Sequence, residues 1–135
     1  MLVFTLGGQR FAVPAEHIRR IEYPAPLTRV PGGPRWLQGL ANLMGEVVAV
    51  VDTRRWLGLA ETPPLRGLRW LVLAYEGDLI ALTIDELPML QVAEHQACRP
   101  LPSDDPRRRC LAAELNLGGD PVALLDLSGL LAESA

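Results

Sequence analysis

Lysine is missing altogether: the 13 basic residues are all arginine, and against 16 acidic residues they leave a formal net charge of −3. That balance offers no net basic face for phosphate backbones, so nucleic acid is not an expected partner. Aromatic residues amount to 5% of the chain, too few for a platform on which bases stack. Cysteine is scarce as well. Cys98 and Cys110 are too few for a disulfide framework and lack metal-ligand spacing, which makes a reducing cytoplasm the expected location. No apolar run is of membrane length. The longest uncharged stretch, residues 36–45, is about half of the ~20 residues a spanning helix needs, so no membrane insertion is expected. Residues 1–7 carry no basic segment and do not read as a signal peptide.

Groups able to do chemistry are equally thin. His17 and His95 fall in expected turns. His17 beside Glu16 has the make-up of a base and its orienter, but in a turn the pair reads as solvated. Ser103, Ser128 and Ser134 lack the context of a nucleophile elbow. Gly7-Gly8 and Gly118-Gly119 lack the helix and lysine of a phosphate cradle and read as hairpin turns. Arg107-Arg108-Arg109 is the strongest charge run. It either grips an acidic partner or forms a solvated loop offset by Asp104 and Asp105, the second being the ordinary reading. The expectation is no enzyme activity, no cofactor and no metal, so the protein acts through its surface.

What the chain does have is short apolar strands between turn signals. Its 135 residues, 49% hydrophobic, fit one globular domain. Residues 4–13 read as a hairpin about Gly7-Gly8, ended by Pro14. A turn at 15–17 follows, then residues 18–23, which read as a strand or a frayed helix because Ile18 and Ile21 fit a period of three, then a short extended piece at 27–31. A Pro-rich linker is expected at 60–67. Residues 69–84 form a second hairpin about Glu76-Gly77-Asp78, 85–92 another strand, 94–109 a polar loop and 110–125 a last hairpin before a closing helix at 127–132. Nine or ten short strands argue for small barrels or a sandwich. No internal repeat of about 20–50 residues is apparent.

Residues 39–58 carry the strongest local pattern: strand, tight turn, strand, one helical turn. Asn42 and Gly45 bracket the bend. Val47 to Val51 is a continuous apolar run of the kind buried on both faces of a sheet. Asp52 sits where an N-cap belongs, and Gly58 where a helix stops. The run resembles the signature of CheW-like domains, which couple chemoreceptors to a histidine kinase. Residues 79–87 and 122–127 resemble the family's second-barrel and C-terminal strands, so the likeness covers nearly the whole chain. It implies two small SH3-like five-stranded β-barrels with short helices, packed on a shared apolar core and intertwined within one domain of residues 1–135.

The same likeness implies where partners bind. Ile18, Arg20, Ile21, Leu43 and Met44 match family positions at a groove between the barrels, Leu43 and Met44 on its floor; Asn42, Gly45 and Asp52 match the structural signature. Apolar residues at such spacing also read as plain core. Two positions depart from the family pattern together: Arg20 stands for its glutamate and Met44 for its arginine. Losing both avoids a stranded charge, and Arg20 must then reach solvent, Glu22 or Glu46. The implied function is a non-catalytic adaptor between a chemoreceptor's cytoplasmic tip and the regulatory domain of a CheA-type kinase, in a divergent pilus or surface-motility pathway. It is expected as a monomer or in weak self-association. The alternatives are an orphan module that serves another assembly or caps array interfaces and, remotely, a small β-barrel enzyme.

Overall fold

The computed structural model describes residues 1–59, 68–85, 89–90, 98–117 and 119–130. Eleven strands dominate: β1 Leu2–Leu6, β2 Gln9–Val13, β3 Ile18–Glu22, β4 Leu37–Leu43, β5 Glu46–Val51, β6 Arg69–Tyr75, β7 Asp78–Ile84, β8 Met89–Leu90, β9 Cys98–Pro100, β10 Leu111–Leu117 and β11 Asp120–Leu125. A helix, α1, spans Thr53–Leu57, residues 128–130 are also helical, and 3-10 turns span Ala15–His17 and Pro106–Arg109. The fold is mainly β, and its strands form two sheets, ordered β8-β1-β2-β11-β10-β9 and β3-β6-β7-β5-β4. The chain divides into two compact units, Met1–Ala15 with Pro88–Ala135 (unit 1) and Glu16–Leu87 (unit 2). The sheet of unit 2 has the expected five strands; that of unit 1 has six, because β9 extends its edge.

Unit 2 is built from two hairpins joined side by side. β6 pairs antiparallel with β7, β4 with β5, and β5 runs parallel to β7 through Ala49↔Ile80. Ala41, Leu43, Val48, Val50, Trp70, Val72 and Ala81 form one buried cluster from four strands, which is what period-two alternation places on a common face. The free edges are linked by the chain that follows β3, where Thr28 forms a bridge to Leu40 of β4. Gly39 permits that approach: a Cβ there would lie 2.6 Å from the Thr28 carbonyl oxygen.

Unit 1 repeats the plan. β1 pairs antiparallel with β2, β10 with β11, and β11 runs parallel to β2 through Ala123↔Phe11. Phe4 and Phe11, opposite each other across β1 and β2, stack at 6.0 Å. The two units share local devices at one constant offset along the chain. Gly45 N donates to Asn42 Oδ1 at 2.8 Å, as Gly119 N does to Asn116 Oδ1 at 2.9 Å. The Asp52 backbone N donates to the Trp36 carbonyl, as that of Asp126 does to the Cys110 carbonyl. The register shifts after Leu37 and again after Leu111.

Several expectations need correction. Val47–Val51 is not buried on both faces: Val47 is 64% exposed, because it pairs with exposed Asn42 next to the hairpin end. The expected extended piece at 27–31 is not among them: Thr28 bridges to Leu40, and Pro26 before it and Pro31 at its end cannot donate to a longer ladder. The expected loop at 94–109 contains β9 and a 3-10 turn. The linker at 60–67, most of the strand at 85–92, and residues 131–132 of the closing helix lie outside the described residues; 128–130 are helical. Among the described residues no helix is long and apolar enough to cross a membrane.

Candidate protein-contact surface

The β4–β5 turn is made of two residues, Met44 and Gly45, both with positive φ (51° and 87°). Such a turn matches the right-handed twist of its strands and favours asparagine or glycine at both positions. Asn42 completes it by accepting the Gly45 N–H. Met44 stands at the tip, 82% exposed, while Leu43 before it is buried in the unit 2 cluster. A two-residue loop carries its first residue beyond the strand ends, whatever the side chain.

Strand β3 brings Arg20 to the same turn. Arg20 and Glu22 lie on one face of the strand, and Arg20 Nε is 2.8 Å from Glu22 Oε1 while Nη1 is 3.6 Å from Glu46 Oε1. Both carboxylates anticipated for Arg20 are thus its neighbours, and Glu46 directly follows the Met44-Gly45 turn. Cross-strand partners share a face, so Arg20 opposite Val72 and Glu22 opposite Trp70 lie over the buried cluster. Arg20 Nε and Nη2 are shut off from solvent without an aligned hydrogen bond among the described residues. The pairing is one of charge more than of directed bonds. Ile18 is half-buried, and Ile21, Met44 and Val47 are exposed apolar side chains. None of these four is core.

Asp52 caps α1 as expected. Its carboxylate accepts from Arg55 N at 3.3 Å, and Gly58, at φ 73°, closes the helix by donating to the Arg54 and Arg55 carbonyls. The sequence reading missed what anchors this helix. Buried Thr53 donates its backbone N–H to Thr83 Oγ1 at 3.1 Å, and the Thr83 hydroxyl donates to that of Thr53 at 3.3 Å. Arg54 pairs with Asp85. Asp85 ends β7 as Asp52 ends β5, a positional hint visible in the sequence, but their cross-chain partners carry no local signal.

Of the other candidates, His95 and Ser134 lie outside the described residues. His17 stands 3.8 Å from Glu16, with its ring edge-on to Tyr75 at 5.3 Å. Arg107 is gripped by Asp105 at 2.9 Å and by Glu114 at 3.0 Å, so the arginine run is tied down at its first member. These side-chain bonds hold the Asp105 carboxyl below the usual carboxylate range and raise the Arg107 pKa.

Fold and surface define a class: a two-unit β protein that presents exposed apolar residues around a charge-paired arginine. A family model described as the CheW-like domain matches residues 1–135. The chain is 24% identical over 136 residues to the probable chemotaxis protein CheW of Rhizobium etli, spanning 99% of this chain and 88% of that one. It is 33% identical over 86 residues to the chemotaxis protein CheW of Bacillus subtilis, 64% of this chain and 55% of that one. The crystal structure of scaffolding protein TtCheW from Thermoanaerobacter tengcongensis matches with a TM-score of 0.85 at 16% identity, over 93% of this chain and 87% of that one. The chain belongs to the CheW-like domain family.

Proposed function

We propose that the protein is a non-catalytic adaptor of a bacterial chemosensory system, working in the cytoplasm and joining a chemoreceptor tip to the regulatory domain of a CheA-type histidine kinase. The observation that carries this reading is the family match over residues 1–135. The surface around Arg20 and the Met44-Gly45 turn is the contact region. Exposed Ile21, Met44 and Val47 supply apolar area there, and Arg20 with Glu22 and Glu46 supplies fixed charge. Contacts of this size fit transient signalling, with Kd on the order of micromolar.

The joint departure at Arg20 and Met44 supports a shifted partner preference, as a pilus or surface-motility pathway would require. Methionine at the tip is flexible and apolar where the family carries a cation. Pull-down of the tagged protein from its own host is expected to recover a chemoreceptor or a histidine kinase. Recovery of neither by folded bait would favour the orphan module. Arg20→Glu with Met44→Arg is expected to weaken the native partner at least about fivefold, roughly 1 kcal/mol. Unchanged binding would remove these positions from partner choice.

A further inference from the structure

We propose that unit 2 carries a second docking site: a pocket at the open end of the β4–β5 hairpin that takes an acidic, aliphatic-flanked segment of a partner protein. The cavity measures about 520 Å³, and its walls include Arg29, Arg35 and Arg55 together with Leu27, Val30 and Leu37. Leu37 pairs with Val51 at one end of the hairpin and Leu43 with Glu46 at the other. The pocket is therefore separated from the Met44 turn by six ladder steps, roughly 20 Å at ~3.3 Å each. It is a different surface from the one assigned above and stands independently of the coupling reading.

Charge makes the first part of the case. Arg29 and Arg35 are exposed, and among the described residues neither has an acidic partner. Arg55 stands 3.5 Å from Asp52, whose carboxylate also caps α1. Among the described residues that line the pocket, three are arginines and one, Asp52, is acidic, on a chain whose net charge is −3. Arginine stays charged at physiological pH and presents a planar fork that matches a carboxylate in bidentate fashion. A pocket of this sign on an acidic protein selects anions.

The duplicated plan makes the second part. By the offset that pairs Asp52 with Asp126, Gly129 takes the place of Arg55 in unit 1. There the space is closed by backbone: a Cβ on Gly129 would lie 1.9 Å from the Arg109 carbonyl oxygen. The same strand–cap–helix device thus folds with no room for a side chain at the place of Arg55, so an arginine there is not a requirement of the fold.

The walls decide what kind of anion. Leu27 and Val30 are 39% and 40% exposed, leaving apolar surface for an aliphatic side chain to cover, at about 25 cal/mol per Å². A free phosphate would leave that wall wet, and among the described residues no aromatic lines the pocket for a base to stack on. A carboxylate beside leucine, isoleucine or valine satisfies both halves.

The test is selection of a displayed dodecapeptide library on the full chain, counter-selected on Arg29→Gln/Arg35→Gln, whose exposed sites leave the fold intact by circular dichroism. Survivors are expected to pair Asp or Glu with aliphatic residues and to bind with Kd on the order of 10–100 µM. They should weaken at least about tenfold on the double variant, weaken as salt screens the charges, and shift backbone amides of residues 27–38 and 55 in NMR titration. Arg20→Glu/Met44→Arg should leave this binding unchanged. No survivor, or survivors without acidic residues, overturns the proposal. So does inorganic phosphate that binds as tightly as the peptides, or peptide binding that persists when the aliphatic flanks become asparagine.

Discussion

Met44 holds a backbone conformation that a side chain with a Cβ adopts only at a cost, about 1 kcal/mol or more. Its counterpart in the repeated motif Asn116-Leu117-Gly118-Gly119 is glycine. Met44→Gly is therefore expected to raise stability by about 0.5–1 kcal/mol in urea unfolding, with the gain limited by glycine's freedom in the unfolded chain. A loss instead would mean that the exposed methionine packs on something in the free protein. Arg20 poses the opposite case, a cation held over a buried cluster. Glu22→Ala removes its closer partner and is expected to cost about 1–2 kcal/mol, less than for a fully buried pair because both side chains keep contact with water. The Arg20 pairing was legible because residues two apart on a strand share a face. The exposure of Met44 was not: family position marks a role, while the turn's geometry decides where the side chain stands.

Elements in this chain are fastened at their ends by short polar side chains. Thr83→Val would leave the buried Thr53 N–H without its acceptor, a loss of about 1–3 kcal/mol by urea unfolding, whereas Thr83→Ser keeps the oxygen and should lose much less. The 3-10 turn at Pro106–Arg109 is fastened by Asp105, which accepts from Arg107 N at 2.9 Å. Hydrogen bonding to Arg107 lowers the Asp105 pKa in the folded state. The turn's stabilisation is then complete above the unfolded carboxyl's pKa and is lost as pH falls through the lower folded one. An NMR titration of the Arg107 amide is expected to move with a midpoint below that of an unstructured peptide, and Asp105→Asn to abolish the transition. Hairpins were legible at this scale because Gly7-Gly8, Gly45, Gly77 and Gly119 punctuate apolar runs. β9 was not, since a short strand containing Pro100 among polar residues carries no period.

For the whole molecule the decisive fact is one plan used twice, Asn42-Leu43-x-Gly45 through Val48-Ala49 to Asp52 against Asn116-Leu117-x-Gly119 through Val122-Ala123 to Asp126. This repeat is written in the sequence, but its offset is longer than the 20–50 residues of stacked repeats, and the copies start at different points of the plan. In unit 2 the hairpin β6–β7 follows β4–β5 along the chain; in unit 1 its counterpart β1–β2 comes first, so unit 1 is closed by residues from both sides of unit 2. That order makes the N-terminus indispensable. β1 and β2 sit in the middle of the six-stranded sheet, between β8 and β11. They contribute Leu2, Val3, Phe4, Leu6, Phe11, Ala12 and Val13 to the core, each at most 8% exposed. Burial of a large apolar side chain is worth about 1.5–3 kcal/mol, so their joint loss approaches or exceeds a net stability of about 5–15 kcal/mol. Deleting residues 1–13 is expected to collapse the amide dispersion of residues 98–130 in NMR, while residues 16–59 and 68–85 keep their own sheet pairing. Loss of dispersion across both ranges would show instead that unit 2 depends on unit 1 to fold.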